Sequence, residues 1–164
     1  MKYSFVFQSE SGDGLLVDLR PLGSEYSKDL HLADSDVEVY QVVLDREKGS
    51  SVVDLGILRK ITDFIAKVFF ENPNLILYYV CDDINEIPNS NHDISSQEYR
   101  SRLFSCMFNR YVKENGIYDI VDTPIVFPDA VGNNQYVHII SYEKYLRSVD
   151  DIVKFVIDGY AVGK

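Results

Sequence analysis

Hydrophobic and polar positions alternate along the first part of the chain. Tyr3 to Phe7 and Leu15 to Arg20 are short β-like runs. Between them, Ser9-Glu10-Ser11-Gly12-Asp13-Gly14 supplies glycines that accept the positive φ of a tight turn, so an opening hairpin is predicted. From Pro21 to Asp36 the chain is polar and irregular. Val37, Val39, Gln41 and Val43 then alternate with Glu38, Tyr40, Val42 and Leu44, which predicts a third strand, with both faces partly covered towards its end. Next the period changes. Ile57, Ile61, Phe64, Ile65 and Val68 recur at helical spacing behind the capping types Ser51 and Asp54, and Asn72-Pro73 ends the helix. Leu75 to Cys81 is continuously apolar and rich in β formers, as a central strand buried on both faces requires. Strand, helix and strand together predict a right-handed β-α-β crossover from Val37 to Cys81.

A polar loop follows from Asp82 to Ile94. Ser95 with Glu98 is a capping-box pattern, so a helix should start near Ser96, carry Phe104, Met107, Phe108 and Tyr111 on one face, and stop at Asn115-Gly116. Pro124 to Phe127 and Gln135 to Tyr142 read as strands around the turn residues Pro128, Asp129, Gly132, Asn133 and Asn134. A last helix is expected from Val149 to Ile157, with Ile152, Val153, Phe155 and Val156 on or near its buried side. The expectation is one α+β domain: a single mixed, largely antiparallel sheet of about five to six strands with two or three helices packed on it.

Composition narrows this picture. A chain of 164 residues suits one core, and 46% hydrophobic residues, with 12 Tyr and 9 Phe, exclude global disorder. The 26 acidic against 16 basic side chains give a formal net charge of -10, which repels polyanions and speeds encounter with a basic partner. General nucleic-acid binding is therefore disfavoured. The opening turns polar at Gln8, too early for the apolar core of a signal peptide, and no run approaches the roughly 18 uncharged apolar residues of a membrane span. No membrane association is expected, and the cytoplasm is the default location. Cys81 and Cys106 are expected to be reduced core residues.

Candidate chemistry is sparse. His31, His92 and His138 have no second His or Cys at metal-ligand spacing, and no Gly-rich phosphate loop, dinucleotide fingerprint or nucleophile elbow is present, so no cofactor or metal is expected. His138 reads as a half-buried sheet residue, while His92 lies in a loop better placed for function. Cys81 could act as a nucleophile with His92 as base; the alternative is a buried strand cysteine. Asp82 and Asp83 sit where the central strand ends, the place where open α/β sheets tend to bind ligands. Arg100 and Arg102 fall in the first turns of the next helix, able to pair with Asp82 or to hold an anion beside the helix N-terminus. An ion pair of Asp82 with Arg100 or Arg102 that locks strand to helix, and a ligand site of Cys81, Asp82, His92, Arg100 and Arg102, are both open readings of this junction.

The aromatic hairpin at Tyr3 to Phe7, the strand ending in Cys81-Asp82, and Arg100-Ser101-Arg102-Leu103-Phe104 followed by Phe108 resemble a family of short bacterial proteins known as a domain of unknown function. The long polar loop and Met107-Phe108, where the family more often has Trp-Phe, depart from the pattern. The resemblance implies no activity, cofactor or catalytic residue. Charge, size and the lack of a catalytic constellation point instead to a small non-enzymatic protein that binds another protein, with a basic partner allowed by the charge, as acidic immunity or antitoxin proteins do. The alternative is a small enzyme or anion-ligand protein with its site at the end of strand 75–81, using Asp82, His92, Arg100 and Arg102. Self-association through an uncovered strand or an aromatic patch is a third reading.

Overall fold

A computed structural model describes residues 3–8, 14–22, 30–48, 55–81 and 93–161. Six strands, β1 (Tyr3–Gln8), β2 (Gly14–Pro21), β3 (Glu38–Lys48), β4 (Leu75–Cys81), β5 (Ile120–Pro128) and β6 (Asn134–Tyr142), form one mixed sheet in the order β1-β2-β3-β4-β6-β5. Only β3 and β4 run parallel; the other four pairings are antiparallel. The parallel pair is joined by helix α1 (Leu55–Glu71), which makes the expected β-α-β unit. Helix α2 (Ser96–Glu114) follows β4, and α3 (Leu146–Ala161) follows β6 through a short 3-10 turn, Glu143–Tyr145.

Strand periodicity sorts the core into two layers. Leu19, Tyr40, Val42, Leu75, Leu77, Tyr79 and Ile140 face α1 and α2, where Val68, Phe69, Phe104 and Phe108 meet them. Ile76, Tyr78, Val137 and Ile139 point the other way, onto Val149, Ile152 and Val156 of α3. The apolar run of β4 is thus used on both faces, and all but Val80 of its seven residues are buried. At the β1 end, Phe7, Leu15 and Val17 close on Ile57 and Ile61 of α1.

Local signals place α2 closely. The Ser95 side chain accepts a hydrogen bond from the Glu98 backbone N–H at 3.1 Å, which satisfies one of the free donors of the first turn. At the other end Asn115 is the cap, Gly116 takes φ +62°, and Ile117 N–H donates to the Val112 carbonyl at 3.0 Å. This is a Schellman stop. Open space surrounds the place where a Cβ would sit on Gly116, so the cost of Gly116→Ala comes from the backbone alone. Thermal or urea unfolding should show a loss of about 1 kcal/mol; an unchanged midpoint would mean that the turn relaxes out of the left-handed region.

Several boundaries differ from those read along the chain. β5 begins at Ile120 rather than Pro124, because Ile120 to Thr123 pair with Ile139 to Tyr142 of β6, a partnership that local composition does not advertise. α3 begins at Leu146, earlier than Val149, and continues past Ile157. Cys106 is exposed on α2 and not in the core, although both cysteines are free as expected. Among the described residues no helix is long and apolar enough to cross a membrane.

Candidate functional site

Two features lie on the face covered by α1 and α2. The first is the junction of β4 with α2, where sequence reasoning placed the candidate residues. Asp82 and His92 lie outside the described residues. Cys81 is fully buried beneath that face, a setting that keeps a thiol from reagents and substrates. Arg100 is the one buried residue of α2, at 5% exposure. Arg102, two residues on, points to solvent and pairs with Glu98 one turn earlier on the same helix. The two arginines therefore do not form a joint clamp: one enters the interior while the other stays on the surface.

What the junction does hold is a buried polar chain that the sequence did not reveal. His138 is fully buried, not half-buried, because α2 covers β6 at that point and the Phe104 ring lies 4.6 Å from the imidazole. Its Nδ1 lies 2.9 Å and 3.0 Å from the two carboxylate oxygens of Asp122 on β5, and its Nε2 lies 2.8 Å from Ser101 Oγ on α2. A carboxylate only accepts, so the Nδ1 contact is a donation from the ring to Asp122; with a single proton on the ring, Nε2 is then the atom that accepts from the Ser101 hydroxyl. Ser105, a turn after Ser101, donates to the same carboxylate at 3.2 Å.

The order serine, histidine, aspartate is that of a hydrolase relay, yet two requirements of acyl transfer are unmet. An oxyanion hole needs free donors beside the nucleophile. Ser101 is the sixth residue of α2, so the N–H groups around it are already spent on the helix ladder. The imidazole, moreover, is sealed under Phe104 with no exposed edge. The arrangement is suited to holding: it ties α2 to β5 and β6 through one fully satisfied histidine. No spacing rule joins residues 101, 122 and 138. The available sign was a lone histidine in the apolar run Val137 to Ile140, on a strand that needs both faces dry.

The second feature is a cleft between α1 and α2. Ile65, Ala66, Phe69 and Phe70 form one wall, and Phe104, Met107, Phe108 and Tyr111 form the other. Ile120 and Ile140 of the sheet lie at its base, and the cavity measures about 80 Å³. It is lined almost wholly by carbon, while Phe70 at its rim is 43% exposed. The helical face Phe104, Met107, Phe108 and Tyr111, read from the spacing as one face, is thus shared between the core and this opening. Beyond Met107 and Tyr111 the cleft widens into a polar mouth bearing Arg59, Asp63, Arg110 and Glu114. Arg110 donates to Glu114 at 2.8 Å and holds that carboxyl below its usual range. Burial, aided by the Asp63 carboxylate, pushes the Tyr111 hydroxyl up.

No protein-family model matches this chain, and neither a curated protein nor a solved structure matches it. Among the described residues, no group of three His, Cys, Asp or Glu is placed to hold a metal ion.

Proposed function

We propose that the protein acts by binding a partner protein that inserts one apolar anchor side chain between α1 and α2. The supporting observation is the cleft itself: a concave, carbon-lined opening with aromatic walls and a polar mouth is the form that anchor pockets take at protein interfaces. The cavity of about 80 Å³ accommodates a single side chain rather than a cofactor-sized ligand. The net charge of -10 favours a partner with basic flanks around the anchor. Such a protein needs no catalytic group, and the Ser101–His138–Asp122 chain then serves to keep the α2 wall in place.

Ala66→Leu, which fills the cleft with carbon, and Met107→Lys, which places a charge on its wall, test this reading. Each is compared with the wild-type chain for capture of a near-stoichiometric partner from the native host at low and moderate salt. The expected result is one protein retained by the wild type, weakened by salt and at least about tenfold weaker with either variant, a change of ~1.4 kcal/mol in binding. Capture that ignores both substitutions while the variants keep their unfolding midpoints would sink the proposal. So would the absence of any stoichiometric partner.

A further inference from the structure

The two edges of the sheet differ. β5 carries Pro124 and Pro128, which lack a backbone N–H, together with Asp122, a combination that discourages another strand from adding there. β1 has none of these devices. Tyr3-Ser4-Phe5-Val6-Phe7-Gln8 contains no proline, no glycine and no charge, and among the described residues it pairs only with β2. No described residue pairs with its outer side, and Phe5 and Val6 are 51% and 37% exposed. An uncharged, exposed edge strand with unmatched backbone groups is a template for strand addition.

We infer that β1 pairs antiparallel with β1 of a second copy, about a two-fold axis through Phe5, to give one continuous sheet. The strand is self-complementary about that residue. Tyr3 and Phe7 flank Phe5 on the face that carries α1, and Ser4 and Val6 flank it on the other. Rotation about Phe5 sets Tyr3 against Phe7 of the second copy, Phe5 against its counterpart, and Ser4 against Val6. Aromatic cross-strand pairs of this kind favour association. The rings are already ordered within one chain: Phe5 lies 4.7 Å from Phe7 and 5.6 Å from Phe64 of α1. Charge does not bar this occupant. Two chains of net charge -10 repel in general, but this strand brings no charged side chain to the contact. A two-fold, isologous contact also closes on itself, so the assembly ends at the dimer and the β5 edges stay outermost.

The test is the mass of the full chain by sedimentation equilibrium over a wide concentration range. A monomer–dimer equilibrium is expected for the wild type, with Phe5→Lys shifted at least about tenfold towards monomer by placing like charges on the axis. Oxidation then checks the register in a Cys106→Ser background, which removes the exposed thiol. Phe5→Cys should form a covalent dimer, and Gln8→Cys should not. A monomer at every concentration overturns the inference. A dimer that survives Phe5→Lys with native circular dichroism also overturns it, as does equal cross-linking by Phe5→Cys and Gln8→Cys. None of these readouts depends on the cleft between α1 and α2.

Discussion

His138→Ala should destabilise the fold by about 3 kcal/mol in urea unfolding, more than any other polar substitution on the α2 face. Two losses add. A ring with no exposure is removed from beneath Phe104, leaving a cavity, and the Asp122 carboxylate loses the donor that Nδ1 supplied. Asp122 is itself almost inaccessible, with 7% side-chain exposure, so water replaces that donor poorly. Ser101→Ala should cost only about 1 kcal/mol, because it removes one hydrogen bond and opens no large void. If the three residues act as one unit, the double substitution of His138 and Ser101 will cost less than the two single losses combined. A loss below about 1 kcal/mol for His138→Ala would show that α2 is held by Phe104 and Phe108 alone.

The second large effect is expected at Phe69. This ring is 2% exposed, stacks on Tyr142 at 4.8 Å between centroids, and forms part of the cleft wall. Phe69→Ala should lower stability by about 3–5 kcal/mol, while Phe70→Ala, at the neighbouring but half-open position, should cost about 1 kcal/mol. Denaturant titration of both variants separates a wall that belongs to the core from a rim left for a partner. Equal losses at the two positions would mean that the rim is as firmly packed as the wall, leaving no soft lip for an anchor to displace.

The architecture was largely legible along the chain because the decisive signals are local. β4 is one unbroken apolar run, α2 carries its own start and stop in Ser95 and Gly116, and the change from period two to helical spacing between Val43 and Ile57 marks the β-α-β unit. The misplaced boundaries are those set by a distant partner. Residues 120–123 are strand because β6 lies beside them, not because Asp122 and Thr123 favour it. Candidate chemistry was harder to find for the same reason. Arg100 and Arg102 are two residues apart and both basic, yet a helix turns about 100° per residue, which sets them on nearly opposite sides, so one went inward and the other met Glu98. Ser101 between them, named only as part of the Arg100-to-Phe104 run, is the one that touches His138. The cleft was equally hidden: the spacing of Phe104 to Tyr111 identifies an apolar face, but the gap left by α1 depends on how two helices share one side of a sheet.

The strand order also governs what happens while the chain is being made. β6 lies between β4 and β5, so one edge of β4 stays open until Tyr142 has left the ribosome. Helix α2, β5 and the hairpin turn must all be synthesised first, which at about 5–20 residues per second leaves the stickiest strand in the protein half-paired for several seconds. Leu75 to Cys81 carries no charge to protect it during that interval. Substitutions that slow β6 from docking, His138→Ala among them, would then lower the yield of folded protein in cells by more than the equilibrium loss implies, through aggregation at β4.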